Sequence, residues 1–450
     1  MLAGILMTQL SVSAQAQIDG ISATTFNLTA KVDSISTAEG GSYLLWGYGD
    51  DDGLNNGLTR AQYPAPTMIV NQGDLITINL TNALTVAAGT VPNVSIVFPG
   101  QDVTAACTFA PCASGTLAME AEPGGTSKVS YTFTATHAGT YMYHSGTNPG
   151  LQVDMGLTGA LIVRPATAGQ AYGHVDTAFD YEELFFITEM DPWIHEEVEF
   201  NGPDRPELQA MVDNYQPTYW FLNGRTAPDN FSASDVSWLP TQPYDMVALM
   251  HPGDKLLMRM VGAGRELHPF HHHGNHARTI AIDGRMLESA PGMGPDLSTE
   301  GFIISTTPGK TQDAIFEWTG EGLNWDIYGG EDVDMNHACN GIMLDGNLVT
   351  DESSLGFDPV THEYCPDHGK VFPTVLPEKQ DLAFGGFWGG SPYLGNVGAL
   401  PPGEGGLNPA GGYTFMWHSH TERELTNLDL YPGGMLTMLV VVPHYIDIAK

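Results

Sequence analysis

The fold is indicated by the stretch Asp74-Leu75-Ile76-Thr77-Ile78-Asn79-Leu80-Thr81, in which apolar and polar residues alternate. Successive side chains of a β-strand point to opposite faces, so this alternation predicts a strand that is buried on one side. Further strands are predicted at 25–32, 43–46, 94–98 and 129–133. Short strands, turn residues between them and the absence of helical periodicity predict an all-β chain built from sandwiches.

Phrases of the first half of the chain recur in the same order in the second half. The corresponding pairs are Gly73-Asp74-Leu75-Ile76 with Gly253-Asp254-Lys255-Leu256, Tyr143-His144-Ser145 with Trp417-His418-Ser419, and Gly159-Ala160-Leu161-Ile162-Val163 with Gly434-Met435-Leu436-Thr437-Met438-Leu439-Val440. Repetition of this kind predicts a duplicated β-sandwich. We predict domains at 17–166 and 181–450, joined by a linker at 167–180, with a long loop insertion at about 324–411 in the second domain.

Histidines are concentrated at two places in the second half, His268-Pro269-Phe270-His271-His272-His273-Gly274-Asn275-His276 and Trp417-His418-Ser419-His420. Alternate residues of a strand leave the same face, so each His-x-His pair points in one direction, and two such strands side by side would converge four ring nitrogens. Imidazole suits copper, zinc, iron and nickel. A run of surface histidines is the alternative, but the apolar neighbours Phe270, Phe415 and Trp417 favour a metal site.

The charge of the chain excludes several classes of function. Lys and Arg number 16 against 52 Asp and Glu, which gives a formal net charge of −36. A surface this acidic repels phosphate backbones and anionic headgroups, so we expect neither nucleic-acid binding nor membrane-surface binding. It attracts cationic metals or positively charged redox partners, although adaptation of a secreted protein to salt explains it equally well.

The N-terminus and the cysteines point to export. Residues 1–16 combine a short apolar run with the small-x-small sequence Ala14-Gln15-Ala16, which is typical of a signal peptide and too short to span a bilayer. No other apolar run has the length of a membrane helix. Four cysteines in an exported chain predict two disulfides, Cys107–Cys112 and Cys339–Cys365. We therefore expect a secreted or periplasmic protein.

The histidine motifs resemble those of the multicopper oxidases, whose cupredoxin domains are Greek-key β-sandwiches. His268-Pro269-Phe270-His271-His272-His273-Gly274 is similar to the family motif H-P-x-H-x-H-G, and His418-Ser419-His420 with the later Gly434-Met435 resembles H-C-H with its downstream G-M. The stretch from Gly139 to His144 and Asp154-Met155-Gly156-Leu157 resemble the end of the first domain. The resemblance implies copper as the cofactor, with ligand positions at His271, His273, His418, His420 and His144. It places His268 at a type 1 copper ligand position, with a structural hydrogen-bonding role as the alternative.

The chain departs from the family pattern at several of these positions. Ser419 stands where the family has the cysteine that binds the blue type 1 copper and passes electrons to the cluster. In the first half, Val97, Pro99 and Gly146 occupy further ligand positions. The resemblance then implies a divergent copper oxidoreductase acting on oxygen with a small-molecule or metal-ion substrate. A copper-binding or sequestration protein of the cell envelope, or a structural protein, is the alternative.

The resemblance also bears on assembly. In the related two-domain enzymes the first domain of one subunit faces the second domain of its neighbour in a ring of three. We therefore expect a homotrimer in which His144 completes the metal centre across the interface, while completion within one chain stays open.

Overall fold

The computed structural model describes residues 18–329, 339, 356–358, 360–372, 389–390, 393–395, 398–399, 407–408 and 411–448. The predicted signal peptide and most of the predicted insertion lie outside these residues. None of the helices in the described part has the length and the apolar composition needed to cross a bilayer.

The first half is a sandwich of two sheets, with strand orders β1-β4-β11-β10 and β3-β2-β5-β9-β6, and a separate β7-β8 hairpin. Its strands are β1 (Ile21–Ser22), β2 (Thr25–Ser36), β3 (Ser42–Asp50), β4 (Ala65–Asn71), β5 (Leu75–Asn82), β6 (Thr104–Phe109), β7 (Cys112–Ser114), β8 (Met119–Ala121), β9 (Lys128–Thr134), β10 (Gly139–His144) and β11 (Thr158–Arg164). A short helix, α1 (Pro149–Gln152), lies between the last two strands. In β5 the buried residues alternate with more exposed ones, as the sequence predicts.

The second half is a sandwich of the sheets β13-β12-β15-β21-β17-β18 and β14-β26-β25-β16-β20, with β19 beside β17 and β22 beside β25. Its strands are β12 (Tyr181–Met190), β13 (Tyr219–Leu222), β14 (Val247–Met250), β15 (Lys255–Gly262), β16 (His268–His272), β17 (Ala277–Ile282), β18 (Arg285–Met286), β19 (Thr299–Gly301), β20 (Ile303–Thr306), β21 (Thr311–Glu317), β22 (Gly389–Gly390), β23 (Gly398–Ala399), β24 (Leu407–Asn408), β25 (Tyr413–Ser419) and β26 (Leu436–Val441).

The two halves share one topology, which confirms the predicted duplication. The order β3-β2-β5-β9-β6 in the first half corresponds to β13-β12-β15-β21-β17 in the second, and in each case the second and third strands are parallel. The order β4-β11-β10 corresponds to β14-β26-β25, again with the first pair parallel. Each half buries its own apolar core between its two sheets. The fold is therefore the predicted all-β pair of sandwiches.

The predicted strand at 94–98 is wrong. This segment makes only isolated bridges, Val94 with Ala121 and Val97 with His144. The amide of Val97 donates to the carbonyl of His144 at 2.8 Å, and the amide of His144 donates back at 3.1 Å. Pro99 follows and has no amide proton to continue the ladder, so pairing stops after one residue.

Two helices between β12 and β13 were not predicted, because helical periodicity is weak there. Helix α2 (Pro192–Asn201) begins at the N-cap Asp191, whose side chain accepts from the amide of Trp193, and it ends at Gly202, where φ is 81°. Helix α3 (Pro206–Asp213) also has proline in its first turn. An Asp-Pro start and a terminal glycine are helix signals that the sequence does contain.

These helices pack the second half against the first. Ile194 and Val198 lie four residues apart on one face of α2, Leu208 and Val212 do the same on α3, and all four belong to the apolar core of the first sandwich. A smaller apolar cluster joins Met142 and Ile162 of the first half to Phe186 and Val261 of the second. The two sandwiches are thus joined by buried apolar contacts, with β11 ending at Arg164 and β12 beginning at Tyr181.

Both predicted disulfides are confirmed. Cys107 bonds to Cys112, and Cys339 bonds to Cys365. The second bridge ties the described part of the predicted insertion together across a separation of 26 residues.

Candidate metal centre

The histidines of the second half lie on neighbouring strands. β16 pairs antiparallel with β25, and His271 stands directly opposite His418. His273 and His420 follow just beyond the ends of these strands and lie on the same side. The ring centroids are 4.5 Å apart for His271 and His273, 5.4 Å for His271 and His418, and 5.3 Å for His273 and His418. The ladder therefore brings three rings to one point.

The ring nitrogens of His271, His273 and His418 are positioned as metal ligands. One nitrogen from each lies within 4.8 Å of the other two, and the three residues are only 2%, 2% and 7% exposed. Nδ1 of His271 donates to the carbonyl of Phe302 at 2.6 Å, and Nδ1 of His418 donates to the carbonyl of Ser419 at 2.6 Å. A carbonyl only accepts, so Nδ1 carries the proton in both residues and Nε2 is the unprotonated nitrogen, the kind that binds a metal.

The contact between His418 and His273 supports the same conclusion. Their Nε2 atoms lie 3.3 Å apart, within hydrogen-bond distance, inside a buried cluster. Burial lowers the pKa of His418 to about 4, although the carbonyl of Ser419 opposes this shift. Neutral imidazoles in this arrangement fit a cation that prefers nitrogen ligands, and copper is such a cation.

His420 lies at the rim of this cluster. Its ring centroid is 4.9 Å from that of His271, but its side chain is 47% exposed, and it is not among the three residues whose ligand atoms converge. The amide of His420 donates to the carbonyl of Pro269 at 2.8 Å, which holds its backbone against β16. The structure thus places three of the four predicted ligands together, with the fourth beside them.

His144 occupies the corresponding place in the first half. It bridges to Val97 as His418 pairs with His271, so Val97 stands at the position of His271, as the motif comparison predicts. Nδ1 of His144 donates to the carbonyl of Ser145 at 2.9 Å, matching the His418 arrangement. Burial lowers the pKa of His144, partly offset by that carbonyl. Within the described residues of one chain, His144 is not part of the converging group.

A cavity of about 520 Å³ adjoins His144. Its lining is mainly apolar and includes Val97, Pro99, Leu117 and Tyr131. In the first half, therefore, apolar residues occupy the space where the second half has histidines.

His268 is held between two carboxylates. Its Nε2 lies 2.9 Å from Oε2 of Glu189, and its Nδ1 lies 3.0 Å from Oε2 of Glu424. Burial by itself lowers the pKa of His268, but the two carboxylates outweigh it and raise the pKa to about 9. Both ring nitrogens are engaged, which favours the structural hydrogen-bonding alternative over ligation of a type 1 copper.

Neither carboxylate was identified from the sequence. Glu424 follows Ser419 by five residues and accepts a hydrogen bond from the Ser419 hydroxyl. Its closeness in sequence to the His-Ser-His motif could have indicated this residue. Glu189 lies 79 residues before His268 and carries no motif. Its other oxygen accepts from the backbone amides of Arg265 and Glu266, which fixes the carboxylate in place.

The serine at each His-Ser motif is hydrogen bonded in the same way in both halves. The hydroxyl of Ser419 bonds Glu424 and accepts from the amide of Thr421 at 3.2 Å. The hydroxyl of Ser145 bonds Gln152 at 2.6 Å and accepts from the amide of Thr147 at 3.1 Å. Where a blue copper protein has a thiolate, this chain has a hydroxyl that is already part of a buried hydrogen-bond network.

Comparisons with known proteins agree with this fold. The family model described as multicopper oxidase matches residues 56–168. An L-ascorbate oxidase of Cucumis sativus is 29% identical over 159 residues, covering 35% of this chain and 24% of that protein. The iron transport multicopper oxidase FET3 of Saccharomyces cerevisiae is 26% identical over 246 residues, covering 53% and 32%. The chain thus aligns with about a quarter to a third of these relatives' length.

A blue copper oxidase from Nitrosomonas europaea shares the fold. The match covers 92% of this chain and 85% of that one, with a TM-score of 0.51 at 17% sequence identity. The two sandwiches of this chain have the cupredoxin-like fold of that protein. In sequence the chain is similar to multicopper oxidases, a family whose members bind copper.

Proposed function

We propose that this protein is an exported copper oxidoreductase whose copper is held by His271, His273 and His418, with His420 at its rim. One observation supports this most strongly: three buried ring nitrogens lie within 4.8 Å of one another. Copper bound there supplies one-electron redox chemistry with oxygen or a small substrate.

The protein's own groups orient this centre and limit access to it. The carbonyls of Phe302 and Ser419 fix which nitrogen of His271 and His418 faces inward. The two rings are therefore already oriented before a metal binds, and binding costs little conformational entropy. The exposed side of the cluster is the one that carries His420. A donor therefore approaches past His420 rather than through the core.

The centre works without an internal type 1 relay in this proposal. Ser419 has no sulfur to bind copper, and His268 is bonded on both nitrogens by carboxylates. Electrons then come from an external donor that reaches the histidine centre directly. Ascorbate and ferrous ion are the donors to try first, since the similar proteins are named for ascorbate oxidation and iron transport.

A second function is copper binding without catalysis, in sequestration or delivery. The near-complete burial of His271 and His273 favours it, because buried ligands release a metal slowly and restrict substrate access. The same copper site serves both functions, so only an activity measurement separates them.

The test is oxygen consumption by copper-loaded protein with ascorbate, ferrous ion and a phenol as donors. We expect uptake above that of copper-free protein, falling to the copper-free level in His273→Ala. His137→Ala, which removes an exposed histidine of the first half, is the matched control and should keep full activity. Tight copper binding with no oxygen uptake from any donor would favour sequestration.

We also propose that His144 contributes across a subunit interface. It is not in the converging group of its own chain, yet its Nε2 is left available by the Nδ1 bond to Ser145. A homotrimer in which one copy's His144 faces another copy's histidine centre uses this nitrogen. Because metal shared between subunits binds only the assembled state, copper should favour the trimer.

Sedimentation with and without copper checks this expectation. Copper should shift the wild type towards a trimer, and His144→Ala should lose the shift while remaining folded. A wild type that stays monomeric under all conditions would contradict it.

A further inference from the structure

A second group of metal-binding side chains lies in the described part of the insertion. Residues 356–358 and 360–372 pack against 324–328 through several hydrogen bonds. The amide of Asp326 donates to the carbonyl of Lys370 at 3.0 Å, and the amide of Gly369 donates to a carboxylate oxygen of Asp326 at 2.8 Å. The amide of Cys365 donates to the carbonyl of Gly356 at 2.9 Å. These hydrogen bonds fix the segment in addition to the disulfide.

Within this segment the Cys339–Cys365 disulfide lies beside a carboxylate and an imidazole. Sγ of Cys339, a carboxylate oxygen of Glu363 and a ring nitrogen of His368 lie within 4.8 Å of one another. Nδ1 of His368 is 3.0 Å from Glu363 and 3.4 Å from Asp326. Glu363 and Cys365 are 1% and 2% exposed. Sulfur, nitrogen and oxygen donors therefore converge at a partly buried point.

A disulfide sulfur is a poor metal ligand, whereas a thiolate is a strong one for zinc, cadmium and Cu(I). Reduction would convert the bridge into two thiols next to His368 and Glu363. Cys339, His368 and Glu363 then supply three converging ligands, and the Cys365 thiol released from the same bond can supply the fourth that a tetrahedral d¹⁰ cation takes.

We propose that the Cys339–Cys365 disulfide conceals a thiolate metal site that forms when the bond is reduced. With a phosphine as reductant, the phosphine and one water give the phosphine oxide, and the S–S bond becomes two thiols. The thiols release their protons to solvent as the cation binds. Oxidation by an external disulfide, which takes up the two electrons and two protons from solvent to become two thiols, re-forms the protein disulfide, removes both sulfur ligands and releases the metal. This site is independent of the histidine centre and of the function proposed for it.

The other disulfide provides an internal control. Cys107 and Cys112 also form a bridge, but among the described residues no group of converging metal donors includes either of them. Sγ of Cys112 lies near backbone carbonyls and the hydroxyl of Ser127 instead. Reduction at that position yields two thiols without an imidazole or a carboxylate ligand.

The experiment uses Cd²⁺, because Cd²⁺ bound to thiolates gives an ultraviolet sulfur-to-cadmium charge-transfer band. Cd²⁺ bound at the histidine centre does not give this band. The variant Cys107→Ser/Cys112→Ser and the variant Cys339→Ser/Cys365→Ser are each reduced with a phosphine, freed of it without air, and titrated with Cd²⁺. We expect the band to saturate at one Cd²⁺ per chain in the first variant and to be absent or weak in the second. Without reduction, neither variant should show it.

His368→Ala, made in the Cys107→Ser/Cys112→Ser background, keeps the Cys339–Cys365 disulfide. It therefore tests the site even if the Cys339→Ser/Cys365→Ser variant does not fold. It should weaken Cd²⁺ binding after reduction by at least about 10-fold, the lower end of what outer ligand partners contribute. Equal bands in the two double-serine variants, or an affinity unchanged by His368→Ala, would overturn the proposal.

Discussion

The free energy of unfolding of the copper-free protein should fall by on the order of 3 kcal/mol as pH rises from about 6.5 to about 9, since each pKa unit is worth about 1.4 kcal/mol. The cause is His268, whose pKa the carboxylates of Glu189 and Glu424 raise to about 9. A group whose pKa is higher in the folded state than in the unfolded state contributes its full stabilisation at every pH below its unfolded-state pKa. That stabilisation is lost as pH rises through the folded value. Urea unfolding at several pH values measures it.

Glu422 and Glu424 lie in the same short 3₁₀ helix, Glu422–Leu425, and provide a matched pair of variants. Glu424 is buried against His268, whereas Glu422 is 83% exposed and only 3.7 Å from the rim residue His420. Glu424→Gln should destabilise the protein near neutral pH and reduce its loss of stability between pH 6.5 and 9. Glu422→Gln should follow the wild type. Identical pH profiles for the two variants would show that His268 is not charged by this pair.

Copper affinity should fall at least about 10- to 100-fold in His273→Ala and in His418→Ala, because each removes one of three converging nitrogens, and even outer partners of metal ligands contribute that much. The loss in His420→Ala should be smaller, since this side chain is half exposed at the rim. Competition with a chelator of known copper affinity measures the series.

His137→Ala removes one exposed histidine and should bind copper like the wild type. His272→Ala is a poorer control, because that ring is fully buried on the opposite face against Phe316 and Trp417. Equal losses in His273→Ala and His137→Ala would point to nonspecific binding by many histidines.

The sequence was sufficient where a pattern is local or repeated. The alternation in β5, the repeated phrases and the two His-x-His pairs depend on the period of a strand, so the sandwiches and the convergence of His271 with His418 could be predicted. The family resemblance places Val97 at a ligand position of the first half, and the bridge between Val97 and His144 agrees with it.

The sequence does not predict contacts between residues that are far apart along the chain, and it does not predict strand ends that depend on tertiary structure. Glu189 reaches His268 from another sheet, and no spacing marks that contact. Segment 94–98 has the β-branched and aromatic residues of a strand, but Pro99 limits it to single bridges. Three histidine rings converge while His420 stays exposed, and this difference depends on where β16 and β25 end. Strand ends are not set by periodicity.

The central claim is that copper binds to imidazole nitrogens without a thiolate, and the absorption and electron spin resonance spectra of the copper-loaded, oxidised protein test it most directly. Ser419 and Ser145 supply no sulfur, and all four cysteines are in disulfides. We expect a weakly coloured Cu(II) signal with hyperfine splitting from about three nitrogens, and splitting from fewer nitrogens in copper-loaded His273→Ala. An intense blue thiolate band, or a signal without nitrogen coupling, would contradict the account.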